Sequence, residues 1–306
     1  MIQLKTVMLA SMFVSSVAVG QVGGPPAGTT PTDPAVAGGV AEIVKESYKP
    51  SLRKDGAIDK VEHNNYVVPW QNIREADVLY KKRVWREIDT RQRQNVCMRY
   101  PGDDESGGGM YIEILIDAIR KGNIVAFSDE RFTIPLSPED VMTKIAGKSD
   151  TNTVVDPVTG EEKQVITVRR FDPETITKFR IKEDWIFDKN EGRMKTRIIG
   201  IAPYQDRFSD VDGSFRGSVP LFWLYYPDAR GVHVKYEVYN PDNDVYRITW
   251  DDYFEKRFFA SYVIKSNINN PLQDDIKAFK KGVDALNASE EIKEKLFNKE
   301  HDLWVY

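Results

Sequence analysis

One cysteine, Cys97, occurs in 306 residues. An intramolecular disulfide is therefore excluded, and the fold must stand on its apolar core. The lone thiol reads as a small buried hydrophobe, with pairing between chains as the alternative in an oxidising compartment. Histidine is almost as scarce. His63, His233 and His301 sit at no metal-ligand spacing, and neither a His-Glu-x-x-His motif nor a cysteine cluster is present, so no metal and no cofactor is expected. A Gly-x-Ser-x-Gly elbow is missing, and the Gly-rich stretch at residues 103–109 lacks the Gly-Lys-Ser/Thr ending that cradles a phosphate. Basic excess is missing too: 43 Lys and Arg against 47 Asp and Glu leave a net charge of −4, which argues against a nucleic-acid partner. Past the N-terminus no run of 18 apolar residues occurs, so no membrane span is expected in the mature chain.

What is present begins with Lys5 and an uncharged run at residues 6–19, closed by Ala18-Val19-Gly20. This is the pattern of a cleavable secretory signal peptide over residues 1–20. No cysteine lies near the cleavage point, so a lipid anchor on this chain is not expected. Residues 21–47, rich in Gly, Pro and Thr, bury too little to offset their ordering and read as a flexible tether. Residues 48–306 form the globular domain. With 41% apolar residues, 14 Phe, 14 Tyr and 6 Trp, it has enough to build a core.

Within that domain, Ala76, Tyr80, Val84 and Ile88 recur every four residues, which predicts an amphipathic helix over residues 73–95. Its other faces carry Lys81, Lys82, Arg83, Arg86 and further arginines. They read either as a solvated surface or as a docking face for an acidic partner or anionic head groups. A second helix is expected over residues 110–121, ended by Gly122. A third starts at Ser137-Pro138 with Ser137 as its cap. Short strands are expected at 124–127 and 131–135. Hairpins are expected at 153–169 and 181–202, a buried strand or short helix at 221–226, and strands at 232–239 and 258–264. One or two helical turns follow Trp250. Two closing helices are expected at 273–285 and 289–299, the latter capped by Ser289. Helices segregated from antiparallel hairpins make the fold class α+β.

No constellation of catalytic groups emerges. Asp210-x-Asp212-Gly213 and residues 240–244 read as turns rather than calcium loops. The adjacent Asp251 and Asp252 are of a type used in glycoside hydrolysis, but adjacency alone sets no carboxylate spacing. The aromatic load, closing on Trp304 and Tyr306, reads as core and as interface anchors, with the C-terminus docked.

Taken in order, several stretches resemble the GldN/PorN family of gliding-motility and type IX secretion proteins of Bacteroidetes. They include Lys82-Arg83-Val84-Trp85-Arg86-Glu87 within residues 73–89, Lys182-Glu183-Asp184-Trp185 and residues 197–203. Leu221-Phe222-Trp223-Leu224-Tyr225-Tyr226, residues 251–257 and Glu300-His301-Asp302-Leu303-Trp304 continue the likeness, which covers about residues 48–306. The resemblance implies a periplasmic, non-enzymatic ring component at the inner face of the outer membrane. It implies three partners: an outer-membrane ring lipoprotein of the GldK/PorK type, the periplasmic region of the inner-membrane motor protein of the GldM/PorM type, and copies of the chain itself. Membrane association would come through the lipoprotein. Lys82, Arg83 and Arg86 are the candidates for polar docking, with Trp85 as either core or anchor. The alternatives are a periplasmic peptidoglycan-binding or peptidoglycan-hydrolysing protein using its aromatics and acids, and a membrane-surface module using the basic segment.

Overall fold

The computed structural model describes residues 65–102, 109–146, 150–155, 162–167, 171–209, 212–243, 245–246 and 248–304, with Leu52, Arg53 and Ala57 ahead of them. The expected signal peptide and tether lie outside the described residues, as do residues 103–108 and the last two positions.

The strands are β1 (Val78–Asp89), β2 (Ala126–Phe127), β3 (Pro135–Leu136), β4 (Asp150–Val155), β5 (Glu162–Thr167) and β6 (Ile176–Asp188). They continue with β7 (Arg193–Phe208), β8 (Phe215–Pro220), β9 (Trp223–Tyr225), β10 (Glu237–Val238), β11 (Ile248–Thr249) and β12 (Tyr262–Ser266). The helices are α1 (Tyr111–Arg120), α2 (Pro138–Ala146), α3 (Tyr226–His233), α4 (Trp250–Glu255), α5 (Ile276–Phe279) and α6 (Val283–Leu303). Eight strands form one antiparallel sheet in the order β12-β1-β6-β7-β9-β2-β3, and β8 shares the far edge of β7 with β9. β4 pairs with β5, and β10 with β11, as separate two-stranded sheets. The chain is α+β, as its sequence predicts.

The helix expected over residues 73–95 is instead β1, between short 3-10 helices at Glu75–Asp77 and Arg93–Arg99. The reason lies in the spacing itself. Four is one helical turn, but it is also twice the period of a strand, so Tyr80, Val84 and Ile88 share a face in either state. Long-range pairing with β6 and β12 decides the outcome, because it satisfies the backbone of β1 on both sides from Val84 to Glu87.

Helix α1 follows its sequence closely. Glu113 accepts from the Met110 backbone N–H at its start. Gly122, at φ +72°, takes the left-handed conformation that lets Gly122 N and Asn123 N bond the last carbonyls. Seven of its ten residues are buried, so it is the central helix of the core. Ser137 caps α2 through Asp140 N, as predicted.

Elsewhere the boundaries move. The segment expected at 221–226 as a buried strand or short helix is β9 running into α3, whose first turn holds Pro227, where a proline forfeits no bond. The strand expected at 232–239 shrinks to β10, because α3 runs on to His233. The strand expected at 258–264 begins at Tyr262, and that at 131–135 gives way to a turn and β3. The two closing helices are the short α5 and the long α6, separated by Gly282 at φ +58°. Ser289 lies inside α6 and caps nothing there; its hydroxyl accepts from the backbone N–H of Val263 in β12.

Helices α1, α2, α3, α4 and α6 pack on one face of the sheet. Ile88, Phe179, Ile181, Ile198 and Ile201 from that face form the main core with α1, α2, α3 and α4, while Val84 and Val263 pack with Leu296 of α6. Cys97 is free and half-buried against this core, and burial pushes its thiol up. Trp304 is half-exposed, stacked on His301, so the docking expected of the C-terminus does not extend to it.

Candidate functional site

The alternation of β1 divides the four nominated residues. Lys82 and Arg86 point with Val84 and Ile88 toward the helices; Arg83 and Trp85 point with Lys81 and Glu87 to the opposite face. Only two of the four therefore share a surface on each side.

The face away from the helices carries most of the charge. Arg83 lies opposite Asp184 of β6 and donates Nε to Oδ1 at 2.6 Å and NH2 to Oδ2 at 2.9 Å. Lys81 reaches the same carboxylate at 3.0 Å. Burial alone would raise the Asp184 carboxyl, but these hydrogen bonds outweigh it and hold it below its ordinary value. Beside them Trp85 is 2% exposed, and Lys265 Nζ sits 4.2 Å from its ring centre. Burial, and then the charge of Arg83, push the Lys182 ammonium down. Further along, Glu87 accepts from Tyr262 and Lys277 and lies 3.7 Å from Arg180. Burial and the Glu87 contact push the Tyr262 phenol up. Lys195, Asp188 and Glu191 close the far end in an ion-paired cluster.

A loop between β2 and β3 lies over the middle of this face. Asp129 ties it together by accepting from the backbone N–H groups of Arg131, Thr133 and Ile134. Glu130 then accepts from Lys182 through its carbonyl at 2.7 Å and from Lys265 through its carboxylate at 3.4 Å. Phe132, held at φ +60°, lies over Gly200 of β7, where any Cβ would stand 2.6 Å from its ring. The loop therefore needs a glycine beneath it.

On the helical face, Glu183 is completely buried and accepts from Arg257 at 2.9 Å and from Trp185 Nε1 at 2.8 Å. Arg86 NH1 stands 3.7 Å from the same carboxylate, and Arg86 Nε donates to Ser261. Burial pushes the Arg86 guanidinium down. Lys82 is half-buried at the open end of this face.

Three groups that sequence reasoning passed over tie the helical side together. His233, fully buried, bonds Tyr111 Oη at 3.0 Å, and burial lowers it to about 3, so the ring is neutral. Arg230 holds Asp251 through two bonds of 2.8 and 2.9 Å, which assigns one of the adjacent acids to structure. Trp70, ahead of β1, donates Nε1 to Glu255 at 2.9 Å, and Arg197 and Arg230 each lie 5.0 Å from its ring centre. No periodicity marks Trp70; only its isolation in a polar stretch does.

Chemically, these arrangements fix side chains rather than activate them. The cations of the sheet face are matched by carboxylates, and the described residues contain no cluster of three metal-ligating side chains. Among the described residues no helix is long and apolar enough to cross a membrane. In comparison with known families, the family model described as gliding motility associated protein GldN aligns with residues 73–305. No curated protein matches the chain.

Proposed function

This chain belongs to the GldN family, a component of the gliding-motility and type IX secretion machinery, and on that premise we propose that it is a non-enzymatic structural subunit of the machine's periplasmic ring. The observation that carries the proposal is the extent of the family match, which takes in the whole sheet and every helix. The fixed, mutually paired charges on both faces of the sheet agree with a structural part. In this reading the chain is exported to the periplasm and held at the inner face of the outer membrane by a lipoprotein of the GldK/PorK type. It touches the periplasmic region of a GldM/PorM-type motor protein and further copies of itself. Lys82 and Arg83, near the open end of β1, are the docking candidates. Trp85 and Arg86 support that end from within, since both are buried.

Co-expression with the lipoprotein, followed by sizing of the purified material, tests the proposal. A large closed assembly is expected. A pair that never exceeds a small complex removes the ring reading.

A further inference from the structure

Helix α6 is apolar on two sides. Ala288, Ser289 and Leu296 are buried and Ile292 is half-buried where the helix lies on β12. A second stripe runs through Val283, Leu286, Glu290, Lys293 and Phe297, beyond which Glu300 turns to the body and accepts from the backbone N–H of Met194 at 2.9 Å. The stripe's spacings alternate between three and four, so these residues hold one face of the helix. Its apolar members Val283, Leu286 and Phe297 are 70%, 52% and 69% exposed, and Trp304, just past the helix, and Phe279 of α5 are 50% and 73% exposed. Large apolar side chains exposed together on one helical face mark a contact surface. At the α5–α6 elbow the row borders a cavity of about 410 Å³, walled by Ile276, Ala285, Leu286 and Val263, with Lys280 and Lys281 beside it.

We infer that this stripe is where two copies of the chain meet, their α6 helices antiparallel and in one register. The centre of the stripe is an ion pair, Lys293 Nζ to Glu290 Oε1 at 2.6 Å. A second helix turned end for end about the point between these residues sets each Glu290 against the other copy's Lys293. The same turn sets Leu286 against Phe297. Phe297 of each helix thereby lies at the rim of the other's elbow cavity, which Leu286 lines. A parallel pairing places Glu290 on Glu290 and Lys293 on Lys293, which like-charge repulsion disfavours. The antiparallel contact is two-fold and self-complementary, the commonest form of contact between identical chains. It rests on the assembly reading above, in which copies of the chain touch, and names one surface they use; because a two-fold contact closes at two copies, the ring needs a further contact besides it.

Sedimentation velocity on the purified chain over a range of concentrations tests this. The wild type is expected to dimerise. Glu290→Lys or Lys293→Glu alone is expected to weaken the dimer about tenfold, and the two together to restore it. Mixing the two single variants is expected to give a heterodimer. Phe297→Asp is expected to abolish association, with circular dichroism unchanged because the side chain is exposed. A wild type that stays monomeric, or charge reversals without effect, would overturn the inference. Co-expression with the lipoprotein separates this from the ring reading. A ring that forms from a chain indifferent to these substitutions overturns the α6 contact alone, whereas an α6 dimer without a ring leaves the contact standing and removes the ring.

Discussion

Arg83 and Asp184 face each other across β1 and β6 and share two hydrogen bonds, so a residue nominated for docking is anchored before any partner arrives. Replacing Asp184 with Ala leaves the half-buried Arg83 and the exposed Lys81 without their carboxylate. A loss of about 1–3 kcal/mol in urea unfolding at pH 7 is expected. Because the folded carboxyl sits below its ordinary value, its contribution is complete above about pH 4 and disappears as pH falls through the depressed folded value. Asp184→Asn should therefore flatten the acid limb of stability as well as lower the plateau.

His233 predicts a second and separate pH effect. Its folded value of about 3 lies below the ordinary value of about 6.5, so the unfolded chain takes up the proton first. Stability from this group is complete above about pH 6.5 and declines down to about pH 3. His233→Phe should cost about 1–2 kcal/mol at pH 7 by leaving the Tyr111 hydroxyl unpaired, yet weaken the decline between pH 6.5 and 4. Urea midpoints across that range measure both effects, and an unchanged acid slope in the variant would refute the assignment.

Glu183 is the most exposed to loss, since two arginines depend on it. Glu183→Gln should destabilise by about 3–5 kcal/mol, because Arg86 stays buried without a counter-charge. Arg257 itself holds φ +58°, a conformation that costs a non-glycine residue about 1–2 kcal/mol. Arg257→Gly should consequently be less damaging than Arg257→Ala, a difference of about 1 kcal/mol in thermal or urea unfolding.

The Gly200 and Phe132 pair offers a coupling test. Gly200→Ala should cost about 1–3 kcal/mol by pushing Phe132 off the sheet. In a Phe132→Ala background the same change should cost clearly less, and additive losses in the double-mutant cycle would contradict the packing described.

The sequence made α1, the β6–β7 hairpin and the Ser137 cap legible because their signals are local: a cap, a glycine stop, a turn between two apolar runs. β1 was not legible, since a four-residue spacing fits either period and the decision came from strands about 100 and 180 residues away in sequence. That error also misplaced the candidate site. On a helix Lys82, Arg83 and Arg86 share a broad outer surface; on a strand they divide between two faces, and Arg86 is enclosed. Ser289 misled for a related reason. A serine followed by two glutamates is a helix-start pattern, but here its hydroxyl serves a backbone N–H on the neighbouring strand.

Trp70 gives the molecule a mechanical property. Its contacts to Glu255, Arg197 and Arg230 are made by side chains and reach α3, α4 and β7. A pull on the segment ahead of residue 70 is borne there first, while the backbone ladder between β1 and β6 carries no load. Only after the indole leaves its seat does tension arrive at Val78, where β1 pairs with the end of β6 and is opened one rung at a time. The tryptophan is thus the first anchor in series on the path from residue 70 to the sheet.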